Sequence, residues 1–365
     1  GEKHRFGNPS KIAEKLLYDI KKMESEYDFI PLYIILSGDI TEKSHSNEFN
    51  DAASVIEEIS RDLKIDRRNI LCVPGNHDVN WNLSKCSLEA GDDQLKFLPY
   101  NNFISNIRNN KDFYIIDCYP RIRDDSLSFK LEFLLLNSCE KEDHINHNGH
   151  VCQKKLTKTL LSKPTKEYEG LKIAILHHRL DTSISDKRSA IENASDIESI
   201  LACHKYNIIL TGHVHQTLVH AKTNSDGHAI IFTGCGSTGI NKDEREDGVQ
   251  NQYCIHVIDL TANKFQSIWR AYNPNRQTEC GLGGWTKDNS FDTNPTEFQL
   301  PVIKHKPQFN LEMSTDIASS EPIKVTDTVE KNKDTGTKAF DTKMDWSEEV
   351  SEELAIAMLL GGWNG

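Results

Sequence analysis

Apolar residues recur at helical spacing near the start of the chain, where Ile12, Leu16, Leu17, Ile20 and Met23 predict an amphipathic helix over residues 11–28. A continuous apolar run follows at 32–36 (Leu-Tyr-Ile-Ile-Leu) and stops at Ser37-Gly38-Asp39, the pattern of a buried strand running into a tight turn. Residues 48–64 return to helical spacing, and 69–73 form a second buried run that ends in Pro74-Gly75-Asn76-His77-Asp78. The segment 82–125 reads as a mainly helical insertion closing with a short strand at 113–117, and strand character resumes at 127–136. A helix over 152–163, a strand at 172–176 leading into His177-His178, a helix near 194–204 and a strand at 207–210 leading into Thr211-Gly212-His213-Val214-His215 complete an alternating α/β pattern. Residues 217–221, 228–233, 253–259 and 264–271 alternate as antiparallel strands that would complete a sheet.

The character then changes. Residues 303–345 are rich in Lys, Asp, Thr, Ser and Pro, with few apolar anchors, which marks a flexible linker. Residues 346–360 predict a last helix, acidic at its start and apolar from Leu354 to Leu360. The expected organisation is a main domain over 1–290, a linker over 291–345 and a C-terminal helix in 346–365 that opens a further, regulatory region.

The formal net charge of −12 gives no general electrostatic attraction for nucleic acid, so any phosphate ligand must be drawn by a local basic site or by bound cations. The nine cysteines form no CxxC pair and several stand in apolar runs, as Cys72 does, so they read as reduced thiols of a cytoplasmic protein. No stretch reaches the ~18 apolar residues of a membrane span.

Four segments share one design, in which a buried strand delivers metal-liking side chains at its C-terminal end: Gly38-Asp39, Gly75-Asn76-His77-Asp78, His177-His178 and Gly212-His213-Val214-His215. Glycine just ahead of such a residue lets the backbone turn sharply and approach an ion closely. Carboxylate, amide and imidazole together make a mixed oxygen and nitrogen set that suits Mn, Fe or Zn better than Mg or Ca. Turn residues and satisfied histidines account for any one segment, but poorly for all four in this order.

In order and context the four segments resemble the calcineurin-like metallophosphoesterase family over roughly residues 1–275. Val73-Pro74-Gly75, Val79-Asn80-Trp81, Asn137-Ser138 and Gly234-Cys235-Gly236-Ser237 also have counterparts there. The resemblance implies an α/β fold with a central β-sandwich flanked by helices, its metal site at the C-terminal ends of strands. It implies two divalent metal ions, with Asp39 bridging them, Asn76 and His177 as ligands, and His213 and His215 going one to each metal. It casts His77 as the residue that faces the phosphate and leaving group rather than a metal, with Asp78 helping to position it.

The family's first strand, which ends in Asp-x-His and supplies two ligands to the first metal, has no counterpart here. His4 lacks an Asp two residues earlier, and no apolar strand precedes the first helix. Truncation just before Gly1 is the simpler expectation; a degenerate site that has lost a metal is the other. As it stands the first metal would keep only Asp39 and His215 as side-chain ligands, and weak catalysis is expected.

The expected activity is hydrolysis of a small phosphodiester such as a cyclic nucleotide. Arg-containing motifs expected of protein phosphatases are absent, since Asp39 is followed by Ile-Thr-Glu-Lys. A nuclease and a catalytically degenerate binding scaffold are the alternatives. The closing Gly-Gly-Trp-Asn-Gly faintly resembles the start of nucleotide-binding regulatory regions in bacterial conflict proteins, which would make this an N-terminal effector. Elsewhere, His144, His147 and His150 read as a polar loop rather than an extra metal site, and His178 as either a pocket residue or a supporting one.

Overall fold

Helix α1 (Pro9–Tyr27) turns Ile12, Leu16, Ile20 and Met23 inward, none of them more than 3% exposed. The chain continues through β1 (Ile30–Leu36), α2 (Ser46–Asp62), β2 (Ile70–Cys72), α3 (Trp81–Ala90), α4 (Leu98–Arg108), β3 (Arg121–Asp124) and β4 (Leu131–Leu135). It then runs through α5 (Gln153–Leu161), β5 (Leu171–Ile175), α6 (Ala194–Cys203), β6 (Ile208–Thr211), β7 (Leu218–Thr223) and β8 (Ala229–Gly234). The last elements are β9 (Gln252–Asp259), β10 (Lys264–Thr278), β11 (Gly281–Lys287), β12 (Thr296–Gln299) and β13 (Glu353–Met358). This computed structural model describes residues 9–110, 119–125, 127, 129–162, 170–180, 190–239, 249–259, 262–301 and 353–358. The strand expected at 113–117 and the polar stretch 303–345 lie outside the described residues.

The strands make two sheets. One has the order β11-β10-β9-β13-β1-β2, with β12 also paired to β10; the other has the order β3-β4-β5-β6-β8-β7. Strands β1 and β2 run parallel, as do β4, β5, β6 and β8 in succession. The parallel strands are largely buried and apolar, as strands covered on both faces are, with Ile30 exposed at the start of β1 and Glu132 and Lys172 set into β4 and β5. One apolar cluster spans both sheets and the helices, from Leu16 and Ile20 of α1 through Ile34 and Leu71 to Phe133, Ile173 and Ile209.

Three expectations are corrected. The C-terminal apolar run is a strand, not a helix: β13 lies parallel to β1, with Leu354 opposite Ile30, and antiparallel to β9, with Ile356 opposite His256. The facing edges of β1 and β9 offer rows of backbone donors and acceptors, and a short apolar run satisfies both by pairing rather than coiling. The folded body also passes residue 290, because β12 pairs with β10 and Leu300 is 4% exposed with its N–H on the Asn263 carbonyl. Finally, the late strands do not complete one sheet: β7 and β8 extend the sheet of β6, while β9 and β10 belong to the other.

Candidate metal centre

The strands β1 and β2 end beside β5 and β6 of the opposite sheet, and the loops at 37–39, 75–78, 177–178 and 212–215 meet there. His177, 1% exposed, is the hub. Its Nδ1 stands 2.7 Å from the Ser37 carbonyl, which can only accept, so the ring donates there and presents the Nε2 lone pair to the site. Three further atoms crowd Nε2: Asn76 Oδ1 at 2.9 Å, His213 Nδ1 at 3.1 Å and Asp39 Oδ2 at 3.2 Å. Asn76 Oδ1 is also 3.1 Å from His213 Nδ1.

Two imidazole nitrogens and two oxygens this close are satisfied by a proton shared among them or by a cation held there. Burial opposes charge on His177, but Asp39 outweighs it and raises the ring's affinity for a proton. His213 is pushed well below the usual histidine range by burial, by His178 and by His177, so it stays a neutral donor of its lone pair. Burial would raise the Asp39 carboxyl, yet His177, His77 and His213 together hold it well below its ordinary value. One carboxylate, one amide oxygen and two imidazoles fit a borderline divalent cation, and His177 has the backbone carbonyl support common in metal-bound histidines. His215 stands two residues beyond His213 and acts on it electrostatically.

The backbone carries the cost of this convergence. Asp39, His213 and His215 all have left-handed φ values, 53°, 72° and 53°, which non-glycine residues adopt reluctantly and which collect at functional sites. Gly75 has no alternative, since a Cβ there would fall 2.2 Å from the Asp39 backbone nitrogen and from its carboxylate. Asp78, fully buried, ties the loops together by accepting from the backbone N–H groups of Ile40, Thr41 and Gly75 and from the Thr41 hydroxyl. Burial and nearby Asp39 raise its carboxyl to about 6 against the pull of these donors.

His77 donates its backbone N–H to Asp39 Oδ1, and its Nδ1 lies 2.9 Å from the Glu42 carbonyl, which leaves Nε2 as the free ring nitrogen. Burial alone would lower its proton affinity; the Asp39 charge and the Glu42 carbonyl reverse that and raise it.

The family model of the calcineurin-like phosphoesterases matches residues 5–217, the span that contains every one of these loops. The chain belongs to that family. The family is one of metal-dependent phosphoester hydrolases with a dinuclear site, and the chain spans about half the length of the curated relative it matches. It is 26% identical over 255 residues to the uncharacterized metallophosphoesterase-like protein YydB of Bacillus subtilis (strain 168), a match that covers 64% of this chain and 50% of that protein. Among solved structures it is similar to a dimetal phosphatase from Danio rerio, at TM-score 0.42 and 12% identity over 75% of this chain and 88% of that one. It is similar also to GAP50, the anchor in the inner membrane complex of Plasmodium, at TM-score 0.46 and 12% identity over 81% and 84%.

Beside these residues of the calcineurin-like phosphoesterase lies a buried group of which the sequence singled out His178, as a pocket or a supporting residue, but not Glu142 or Cys139. The His178 ring packs against His213, centroids 4.4 Å apart, with Nδ1 3.0 Å from Ser138 Oγ and Nε2 3.2 Å from Glu142 Oε1. One of its ring nitrogens lies within 4.8 Å of those of His177 and His213, so His178 belongs to the same cluster of candidate ligands. The Glu142 contact is close but poorly aligned for a hydrogen bond. Burial pushes Glu142 up to about 7, with His177 offsetting only part of the rise. Cys139 donates its thiol to the Pro74 carbonyl and so braces the loop that carries Asn76 and His77. The sequence signals for this group were His178 beside His177 and Asn137-Ser138 after a strand. By contrast, His144, His147 and His150 go separate ways, to Ser84, the Trp81 ring and Glu192. Among the described residues, no helix is long and apolar enough to cross a membrane.

Proposed function

We propose that this protein hydrolyses a small phosphodiester, such as a cyclic nucleotide, at a two-metal centre. The observation that carries the reading is the crowding of Asp39, Asn76 and His213 around the buried Nε2 of His177. In the proposal these four hold one divalent cation, and Asp39 and His215 contribute to the other. Bound there, Mn, Fe or Zn ions neutralise phosphate charge and supply hydroxide at neutral pH. His77, with Nδ1 held by Glu42, directs Nε2 to the phosphate and protonates or hydrogen-bonds the leaving oxygen. Asp78 fixes the two loops in register so that His77 and Asp39 keep their spacing. His178, with Glu142 beside it, packs against the His213 ring.

A small substrate is favoured over nucleic acid because a chain of net charge −12 offers a polyanion no general attraction. The test is turnover of bis(p-nitrophenyl) phosphate beside p-nitrophenyl phosphate, each with Mn²⁺ and with a chelator, followed by a 2′,3′-cyclic nucleotide beside single-stranded DNA. Metal-dependent turnover that prefers the diester and the cyclic nucleotide is expected. Absence of turnover with Mn, Fe and Zn alike, or a rate indifferent to chelation, would overturn the reading.

A further inference from the structure

Apart from Asp39, Asn76, His177, His213 and His215, a second group of metal-liking side chains is buried: Cys139, Glu142 and His178, at 0%, 2% and 1% exposure. A ring nitrogen of His178, the sulfur of Cys139 and a carboxylate oxygen of Glu142 lie within 4.8 Å of one another. Cys139 and Glu142 belong to one turn after β4, closed by the Glu142 N–H donating to the Cys139 carbonyl at 3.0 Å. His178 comes from the loop after β5, the parallel neighbour of β4.

Hydrogen bonding does not account for this group. Glu142 Oε1 faces His178 Nε2 at 3.2 Å without the alignment of a hydrogen bond, and it has no other partner among the described residues. The buried Lys96 ammonium donates to the Glu140 and Glu142 carbonyls, at 2.7 Å each, and not to this carboxylate. The Cys139 thiol has only weak partners, the Pro74 carbonyl at 3.5 Å and His178 Nδ1 at 4.0 Å. An acid oxygen left buried and unpaired is costly and calls for a ligand of its own. Ligand atoms around tetrahedral zinc stand roughly 3.2–3.6 Å apart, given bonds of about 2.0–2.3 Å. The contact between Glu142 and His178, at 3.2 Å, already has that spacing. The Cys139 sulfur has at most about 1 Å to close, a shift that rotation about χ1 covers.

Thiolate, carboxylate and imidazole supply sulfur, oxygen and nitrogen. The soft thiolate favours zinc over manganese or magnesium. Two anionic ligands cancel the charge of a divalent ion, as a buried place requires.

We propose that Cys139, Glu142 and His178 bind a zinc ion at a position separate from the two-metal centre, a structural ion that ties the loop after β4 to the loop after β5. The proposal does not rest on the hydrolase reading above.

The test is titration of the metal-stripped, reduced full chain with Co²⁺, which gives a near-ultraviolet charge-transfer band when a thiolate binds it and none with nitrogen and oxygen ligands alone. The band should appear and should bleach as Zn²⁺ displaces the cobalt. Cys139→Ser should abolish it, and Glu142→Gln should weaken cobalt binding at least tenfold, read from the midpoint of the band. The double variant Cys86→Ser/Cys203→Ser, which removes two exposed thiols, and Asn76→Ala, which alters the other centre, should both keep it. Circular dichroism checks that each variant folds; if Cys139→Ser does not, the Glu142→Gln midpoint decides. No band in the wild type, a band that survives in folded Cys139→Ser, an unchanged midpoint in Glu142→Gln, or loss of the band with Cys86 and Cys203 overturns the site. Manganese retained without a thiolate band sinks this site alone, whereas a thiolate band in a chain that retains no manganese supports it and sinks the two-metal reading.

Discussion

At the scale of single residues, the hydrogen bond from His177 Nδ1 to the Ser37 carbonyl does more than its ~1 kcal/mol suggests, because it decides which nitrogen faces the site. His77 is arranged by the same device through Glu42, but it sits outside the cluster of four. The two histidines should therefore separate experimentally. His77→Ala should lower kcat on the order of 10²–10⁴-fold, the usual worth of a positioned acid or base, while metal content stays at the wild-type level. Metal analysis beside steady-state kinetics checks this, and joint loss of metal and activity would make His77 a ligand instead. Asp39, Asn76, His177 and His213 were legible in the sequence because each follows a buried strand and sits next to a diagnostic neighbour. Asp78 was legible as a motif member but not in its role, since its partners Ile40 and Thr41 lie 38 and 37 residues away. Glu142 and Cys139 gave no signal for a similar reason: their contacts with His178 and Pro74 span 36 to 65 positions in the sequence.

At the scale of elements, the late part of the chain separates local pattern from tertiary demand. The run from Leu354 onward is short and apolar, and periodicity cannot distinguish a buried strand from a helical segment at that length. Pairing with β1 on one side and β9 on the other settles it, and both partners lie hundreds or scores of residues away. Strand β3 was missed for another reason: its residues Arg121, Ile122, Arg123 and Asp124 look like surface, yet two of them serve a buried acid. Glu132 on β4, fully buried, accepts from Arg121 at 2.9 Å, Arg123 at 2.8 Å and Tyr206 at 2.8 Å. Burial alone would raise its carboxyl, but these three donors outweigh that and hold it below the ordinary glutamate value. A depressed folded value means that the protonated unfolded state gains as acid is added. The stabilisation from Glu132 is thus complete above the unfolded glutamate value and fades as pH falls through the folded one. Glu132→Gln should cost about 3 kcal/mol at pH 7, the lower end for a broken buried ion pair because Arg123 retains some water contact. It should also flatten the acid limb of stability. Urea midpoints from pH 7 down to pH 3 measure both, and an unchanged acid limb would contradict the assignment.

Across the whole molecule, the placement of the centre follows from how the sheets are built. Each sheet contributes two parallel strands whose C-terminal ends meet those of the other, so no single element holds the site. Helix α1 is fastened to β9 and β10 by the buried pair Asp19–Arg270, reinforced by the Tyr253 hydroxyl. The alternating α/β pattern and the four loops were legible because buried strands and glycine turns write themselves locally. The division of the strands between two sheets was not, since sheet membership depends on partners distant in sequence. The acidic balance of the chain gains meaning at this scale too: in the proposed reading an anion would be drawn by cations at the centre, since the general field offers it no attraction.

The most direct test is the metal content of the purified full chain after loading with Mn²⁺ and desalting, beside Asn76→Ala and His177→Ala, with folding checked by circular dichroism. Retention of at least one ion per chain by the wild type, lost in both folded variants, is the predicted result. Wild type without retained metal, or variants that keep as much as the wild type, would contradict a cation position at Asp39, Asn76, His177 and His213.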